Sequence, residues 1–210
     1  MCFGALLTTT AKADILIGLS VPLTGNLSLL GQQAQLGAES AVTAANAAGG
    51  INGEIIKLVT VDDKCSEDGG RDAAEQFLQA GEAQGSTPVA QLGYLCFESA
   101  FAALETTGSK QLPLMSLSVR LPEFSRRGTK KDNPRQTYRF APSAIAEAKR
   151  AAKAIVDLWQ GRSFALVDDG TVYGRSLADG VRTELELAGR PPQFTDTYRP
   201  AQTSQSGMMR

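Results

Sequence analysis

Residues 15–61 read ILIGLSVPLTGNLSLLGQQAQLGAESAVTAANAAGGINGEIIKLVTV, and they contain a strand, a helix and a second strand. Ile15 to Leu23 is a short apolar run ended by a Thr-Gly turn, the pattern of a strand covered on both faces. Gln32 to Ala48 is rich in Ala, Gln and Glu. Leu36, Val42 and small alanines fall on one side, which suits a helix lying close to a sheet. Gly49-Gly50 stops it with left-handed C-cap chemistry. Ile55 to Val61 is rich in β-branched residues and ends in Asp62-Asp63, giving the second strand. A strand, a crossover helix and a parallel strand make the repeating unit of an α/β fold.

The unit recurs along the chain. Glu67 to Gln84 reads as a helix, Val89 to Leu95 as a strand, Ser99 to Thr107 as a helix and Leu112 to Leu117 as a strand. Pro122 to Pro134 breaks the rhythm with Arg126, Arg127, Gly128, Lys130, Lys131 and Asp132, a charged and solvated loop. Tyr138 to Ala141 looks extended. The unit then restarts with helix Ser143 to Trp159, strand Phe164 to Val167, helix Tyr173 to Ala188 and strand Phe194 to Tyr198. The reading is an α/β chain with doubly wound parallel-sheet lobes: a first lobe over 14–142 and the start of a second over 143–210. Two strands and two helices cannot enclose a core, because a parallel sheet is covered on both faces. The second lobe therefore reads as truncated, and the chain as the front part of a longer protein.

Composition narrows the chemistry. The 210 residues are 42% apolar and 20% charged, and 21 Lys and Arg against 22 Asp and Glu leave a net charge of −1, too balanced for a nucleic-acid binder by bulk charge. Histidine is absent, which removes Ser-His-Asp and Cys-His nucleophile systems and imidazole-based zinc sites. No apolar run approaches the roughly 18–20 residues of a membrane-spanning helix. Residues 1–13, MCFGALLTTTAKA, end in an A-x-A pattern at Ala11 and Ala13 and read as the remnant of a signal peptide lacking its basic n-region; a disordered tail is the alternative. Export would remove Cys2 and leave Cys65 and Cys96, an even pair that suggests a disulfide in an oxidising compartment; two buried free thiols remain the alternative.

No G-x-G-x-x-G or P-loop pattern follows a strand, so no nucleotide cofactor is expected. Asp62-Asp63 and Asp168-Asp169 sit where strands end. They read as partners of the following helix N-termini rather than as metal ligands. Thr24 and Ser28 follow the first strand, and Ser116, Ser118 and Arg120 close the fourth. Hydroxyls with a lone guanidinium at strand ends suit a small carboxylate. Tyr173 opens a helix just after DDGT, where its ring can stack on a ligand or enter the core.

Taken in order, these stretches resemble the Leu/Ile/Val-binding type of periplasmic solute-binding protein, which serves ABC transporters of the branched-chain amino-acid type. The segment ILIGLSVPLTGNLSLLGQQAQLGAESAV, then NAAGGINGEIIKLVTVDDKC, LGYLCFESA, LPLMSLSVRLPEF, TYRFAPS and VDDGTVYGRSLADGV, carries the resemblance over residues 14 to about 200. It implies two doubly wound lobes joined by crossover strands that close on a ligand like a hinged trap. It implies a disulfide between the cysteines matching Cys65 and Cys96. The ligand-binding set it implies is Leu30, Phe97, Ser118, Val119, Arg120 and Tyr173. The family's amino-acid binders place an aromatic where Leu30 stands, a Ser at Phe97 and a Thr at Arg120. Those departures bring small carboxylates, aromatic acids included, in beside branched-chain amino acids. The expectation is a non-enzymatic, periplasmic binder that partners a transporter permease, with no cofactor, metal, nucleic acid or membrane insertion. A cytoplasmic amide- or organic-acid-sensing regulator of the same fold is the alternative.

Overall fold

The computed structural model describes residues 14–127, 136–199 and 204–205. The expected signal remnant at 1–13 and most of the expected charged loop, residues 128–135, lie outside the described residues. The described residues fall into two compact units. One is built from the chain up to Ser118 with the stretch ending at Tyr138, the other from Val119–Arg127 and from Arg139 onward.

The first unit contains β1 (Ile15–Val21), α1 (Ser28–Ala47), β2 (Ile56–Asp62), α2 (Glu67–Gln84), β3 (Pro88–Gly93), α3 (Phe97–Ser109) and β4 (Leu114–Ser116). The short helix α4 (Pro122–Arg127) belongs to the second unit, and β5 (Thr137–Arg139) passes from one unit to the other. The sheet runs β2-β1-β3-β4-β5, with β1 parallel to β2 and β3, and β3 parallel to β4. This is the doubly wound parallel sheet expected from the sequence. The order reverses between β1 and β3, so the loops leaving those strands flank the switch point where open α/β sheets bind ligands. Leu16, Phe77 and Leu112 form a core packed by Val59 and Leu78. Gly70 lets α2 approach α3, since a Cβ there would sit 2.1 Å from the Ser99 carbonyl oxygen.

The second unit continues with α5 (Ala144–Leu158), β6 (Ala165–Asp168), α6 (Val172–Leu187) and β7 (Phe194–Thr197), and β6 pairs in parallel with β7. Ala148 and Ala152 of α5 meet Val181 and Leu185 of α6, with Phe164 and Leu166 against them. Ser143 caps α5 by accepting from the Ala146 amide, and Thr171 caps α6 by accepting from Gly174.

Two differences from the sequence reading concern where helices start. Helix α1 starts at Ser28 rather than Gln32. Its N-cap Leu27 offers no side-chain hydrogen bond, and its first turn is set by Gly31, where a Cβ would lie 1.8 Å from the Pro22 carbonyl oxygen. The start of the expected charged loop is the helix α4, for which Pro122 supplies a preset φ at the first position and Glu123 an acid in the first turn.

Candidate functional site

In the first unit, the loops leaving the strands are tied by carboxylates. Asp62 accepts from the Leu23 amide (2.8 Å), the Lys64 amide (2.9 Å) and the Thr24 hydroxyl (2.6 Å), joining the exits of β1 and β2. Burial works to raise its pKa, but the hydrogen bonds from Thr24, Leu23 and Lys64 together outweigh that and hold it below the ordinary value. Asp63 is fully buried and accepts from the Cys65 amide (3.0 Å) and the Ser99 hydroxyl (3.1 Å). Burial dominates here and pushes its pKa up, with the Asp62 charge adding to the rise.

These acids fasten loops instead of capping the helix as expected. The cap of α2 is Ser66, which accepts from Gly69. The second acidic pair behaves alike: Asp168 accepts from the Gly170 amide and the Thr197 hydroxyl, and Asp169 from the amide and hydroxyl of Thr171. The side chain that caps α6 is Thr171. Among the described residues, no group of three acidic or thiol side chains is placed to hold a metal.

The raised pKa of Asp63 sets a pH dependence. A carboxyl whose folded pKa exceeds its unfolded one favours the fold when protonated. That contribution is full below the ordinary value of 3.8 and is lost as pH rises through the raised folded value. Asp63→Asn keeps a carbonyl for the Cys65 amide and can donate to Ser99, whose hydroxyl also reaches the Cys96 carbonyl at 3.2 Å. In urea titrations from acid to neutral pH, the wild-type chain is expected to lose stability relative to Asp63→Asn as pH rises. Parallel profiles would refute this.

Cys65 and Cys96 are bonded, with Cα atoms 5.2 Å apart. The bridge joins the turn after β2 to the N-cap of α3, so the alternative of two free thiols is set aside. Phe97 then opens α3, its ring 4.3 Å from that of Phe101 at a 43° tilt. Ser118 donates to the Leu95 carbonyl at 2.5 Å, and Ser116 to the Tyr94 carbonyl at 2.8 Å, fastening β4 to the exit of β3. Leu30 lies on α1 and is half exposed. The first unit therefore carries Leu30, Phe97 and Ser118 on segments that follow β1, β3 and β4.

In the second unit Val119 is buried, and Arg120 and Tyr173 come together. The guanidinium carbon of Arg120 stands 5.5 Å from the centre of the Tyr173 ring, and an Nη atom lies 3.3 Å from its hydroxyl. Both meet Glu147, which the sequence reading did not single out: Arg120 pairs with one carboxylate oxygen and the Tyr173 hydroxyl donates to the other at 3.0 Å. The one local signal was an acid in the first turn of α5, which reads as a partner of the helix dipole. Tyr173 also borders a cavity of about 380 Å³ with Val167, Asp169 and Leu177. The arrangement offers an aromatic face, a cation and an anion within one cluster.

Comparison with known proteins agrees with this architecture. The model of a family described as periplasmic binding protein matches residues 14–210. An amino acid binding protein of Pseudomonas aeruginosa is 31% identical over 183 residues, covering 87% of this chain and 46% of that protein. The substrate binding protein LivJ of a branched-chain amino acid transporter from Streptococcus pneumoniae, solved with isoleucine, is similar in fold at a TM-score of 0.76 and 20% identity, over 92% of this chain and 52% of that one. A solute binding protein of an ABC transporter from R. palustris, solved with 4-hydroxybenzoate, gives a TM-score of 0.74 at 14% identity, over 93% of this chain and 50% of that one. The chain spans about half the length of this curated relative and of the two solved proteins of similar fold.

Proposed function

The chain belongs to the periplasmic binding protein family, and from that premise we propose that it serves as the solute-binding part of an ABC importer rather than as an enzyme. The solute is a branched-chain amino acid or a related small carboxylate. Within the first unit the candidate ligand residues are Leu30, Phe97 and Ser118, and within the second, taken by itself, they are Val119, Arg120 and Tyr173. The transporter permease is the partner and the extracytoplasmic space the location. The observation that carries the reading is the cluster of Arg120, Glu147 and Tyr173, a paired cation and anion beside an aromatic face, within a family match that runs from residue 14 to 210. The disulfide supports an oxidising location. Among the described residues no helix is long and apolar enough to cross a membrane. Two solved proteins of similar fold hold isoleucine and 4-hydroxybenzoate, which share a carboxylate on an apolar body.

One charge-assisted hydrogen bond of about 2–3 kcal/mol and the burial of one apolar side chain at about 1.5–2 kcal/mol together support a dissociation constant near 1 mM. Titrating L-leucine and 4-hydroxybenzoate into the 15N-labelled chain is expected to move resonances of Phe97, Ser118 and Tyr173 at millimolar concentration for at least one of the two. A folded spectrum that neither compound changes would refute the reading.

A further inference from the structure

Arg120, Glu147 and Tyr173 lie far apart in sequence and converge within the second unit. Both oxygens of the Glu147 carboxylate are engaged, one by the Arg120 guanidinium and the other by the Tyr173 hydroxyl. Burial, together with the hydrogen bond and charge of Glu147, raises the Tyr173 pKa, so the phenol keeps its proton as a donor. The backbone of Arg120 is fixed as well: its carbonyl accepts from the Ala144 amide at 2.8 Å and from an Arg139 Nη atom at 3.2 Å. The Arg120 and Glu147 side chains retain 37% and 20% of their exposure, so a solute can reach both.

The consequence is a charge selection opposite to the one Arg120 alone would make. A free guanidinium beside an aromatic ring favours a bare carboxylate on a flat body. Here the guanidinium already holds a carboxylate. An arriving anion must displace Glu147 or stand beside it, and two like charges at that distance repel. A solute with a donor or positive group next to its acceptor meets no such conflict, because it engages Arg120 and Glu147 together.

We propose that Glu147 is a specificity residue that acts as the resident counter-ion of Arg120, so that this cluster admits zwitterionic or amide solutes and disfavours bare carboxylates. The inference rests on the solute-binding reading above.

Acetate and L-leucine, titrated separately while the Arg120 Nε–H and Tyr173 ring resonances are followed, test it in wild type and in Glu147→Gln. Glutamine keeps the length and an acceptor for Tyr173 and removes the charge. Acetate is expected to bind at Arg120 at least tenfold more tightly in Glu147→Gln than in wild type, and L-leucine more weakly. Equal acetate affinity in the two proteins would overturn the proposal while leaving solute binding intact. Acetate binding that appears only in the variant, with no L-leucine response in either protein, would uphold the counter-ion role and count against the solute reading instead. No acetate response in either folded protein would overturn the proposal. The wild-type titration also stands without any variant: acetate must bind no more tightly at Arg120 than at the other arginines of the chain, and tighter binding there would overturn the proposal by itself.

Discussion

Reduction of the Cys65–Cys96 bond is expected to lower the unfolding free energy of the chain by roughly 3–4 kcal/mol. The two cysteines are 31 residues apart, and the bond closes that stretch into a loop in the unfolded state. Opening the loop returns chain entropy to the unfolded ensemble, and the effect grows with the logarithm of loop length. On the folded side little needs to move. The Cys65 amide is held by the buried Asp63 carboxylate, and Cys96 sits in extended backbone at the N-cap of α3, whose Ser99 hydroxyl reaches the same carboxylate. These hydrogen bonds keep the turn and the helix start together without the bridge. Urea unfolding of oxidised and reduced protein measures the difference, and the double variant Cys65→Ser with Cys96→Ser should reproduce the reduced value. A loss below about 1 kcal/mol would show that the unfolded chain is already confined without the bond.

How much of this was legible in the sequence depends on whether both ends of an element carry a local signal. Helix α2 was readable from Glu67 to Gln84 because Ser66 caps one end and Gly85, at a φ of 61°, ends the other. Both signals lie within a few residues of the helix they bound. The start of α1 was not readable, since it depends on the fit of Gly31 against the Pro22 carbonyl, a contact between two backbones. The site divides in the same way. Arg120 stood out as a cation in a loop of hydroxyls, and Tyr173 as an aromatic at a helix start. Glu147 comes 27 residues after Arg120, and nothing local ties the two. The acidic pairs show a third case. Their place at strand ends was legible, but which amides and hydroxyls their oxygens accept from is decided by how neighbouring loops meet.

Phe77→Ala is expected to destabilise the first unit by about 3–5 kcal/mol, the range for removing a buried phenyl ring. Phe77 is fully buried on α2 and packs with Leu16 of β1 and with Leu112, which precedes β4. Sheet and helix therefore meet through this ring, and the residues around it are held by two strands and cannot collapse fully into the space it leaves. Hydrogen exchange should quicken in β1 and α2 and remain unchanged in α5 and α6, whose core of Ala148, Ala152, Val181 and Leu185 is separate. The close contact with Gly18 supplies a sharper check. A Cβ at Gly18 would lie 2.8–2.9 Å from three atoms of the Phe77 ring, so Gly18→Ala alone forces the ring aside and is expected to be destabilising. With the ring removed, the same methyl group points into vacated space. The double variant should then be no less stable than Phe77→Ala, a coupling that additive losses would contradict. Additivity would mean that the ring does not rest on the strand at Gly18, and the cavity argument for Phe77 would fail with it.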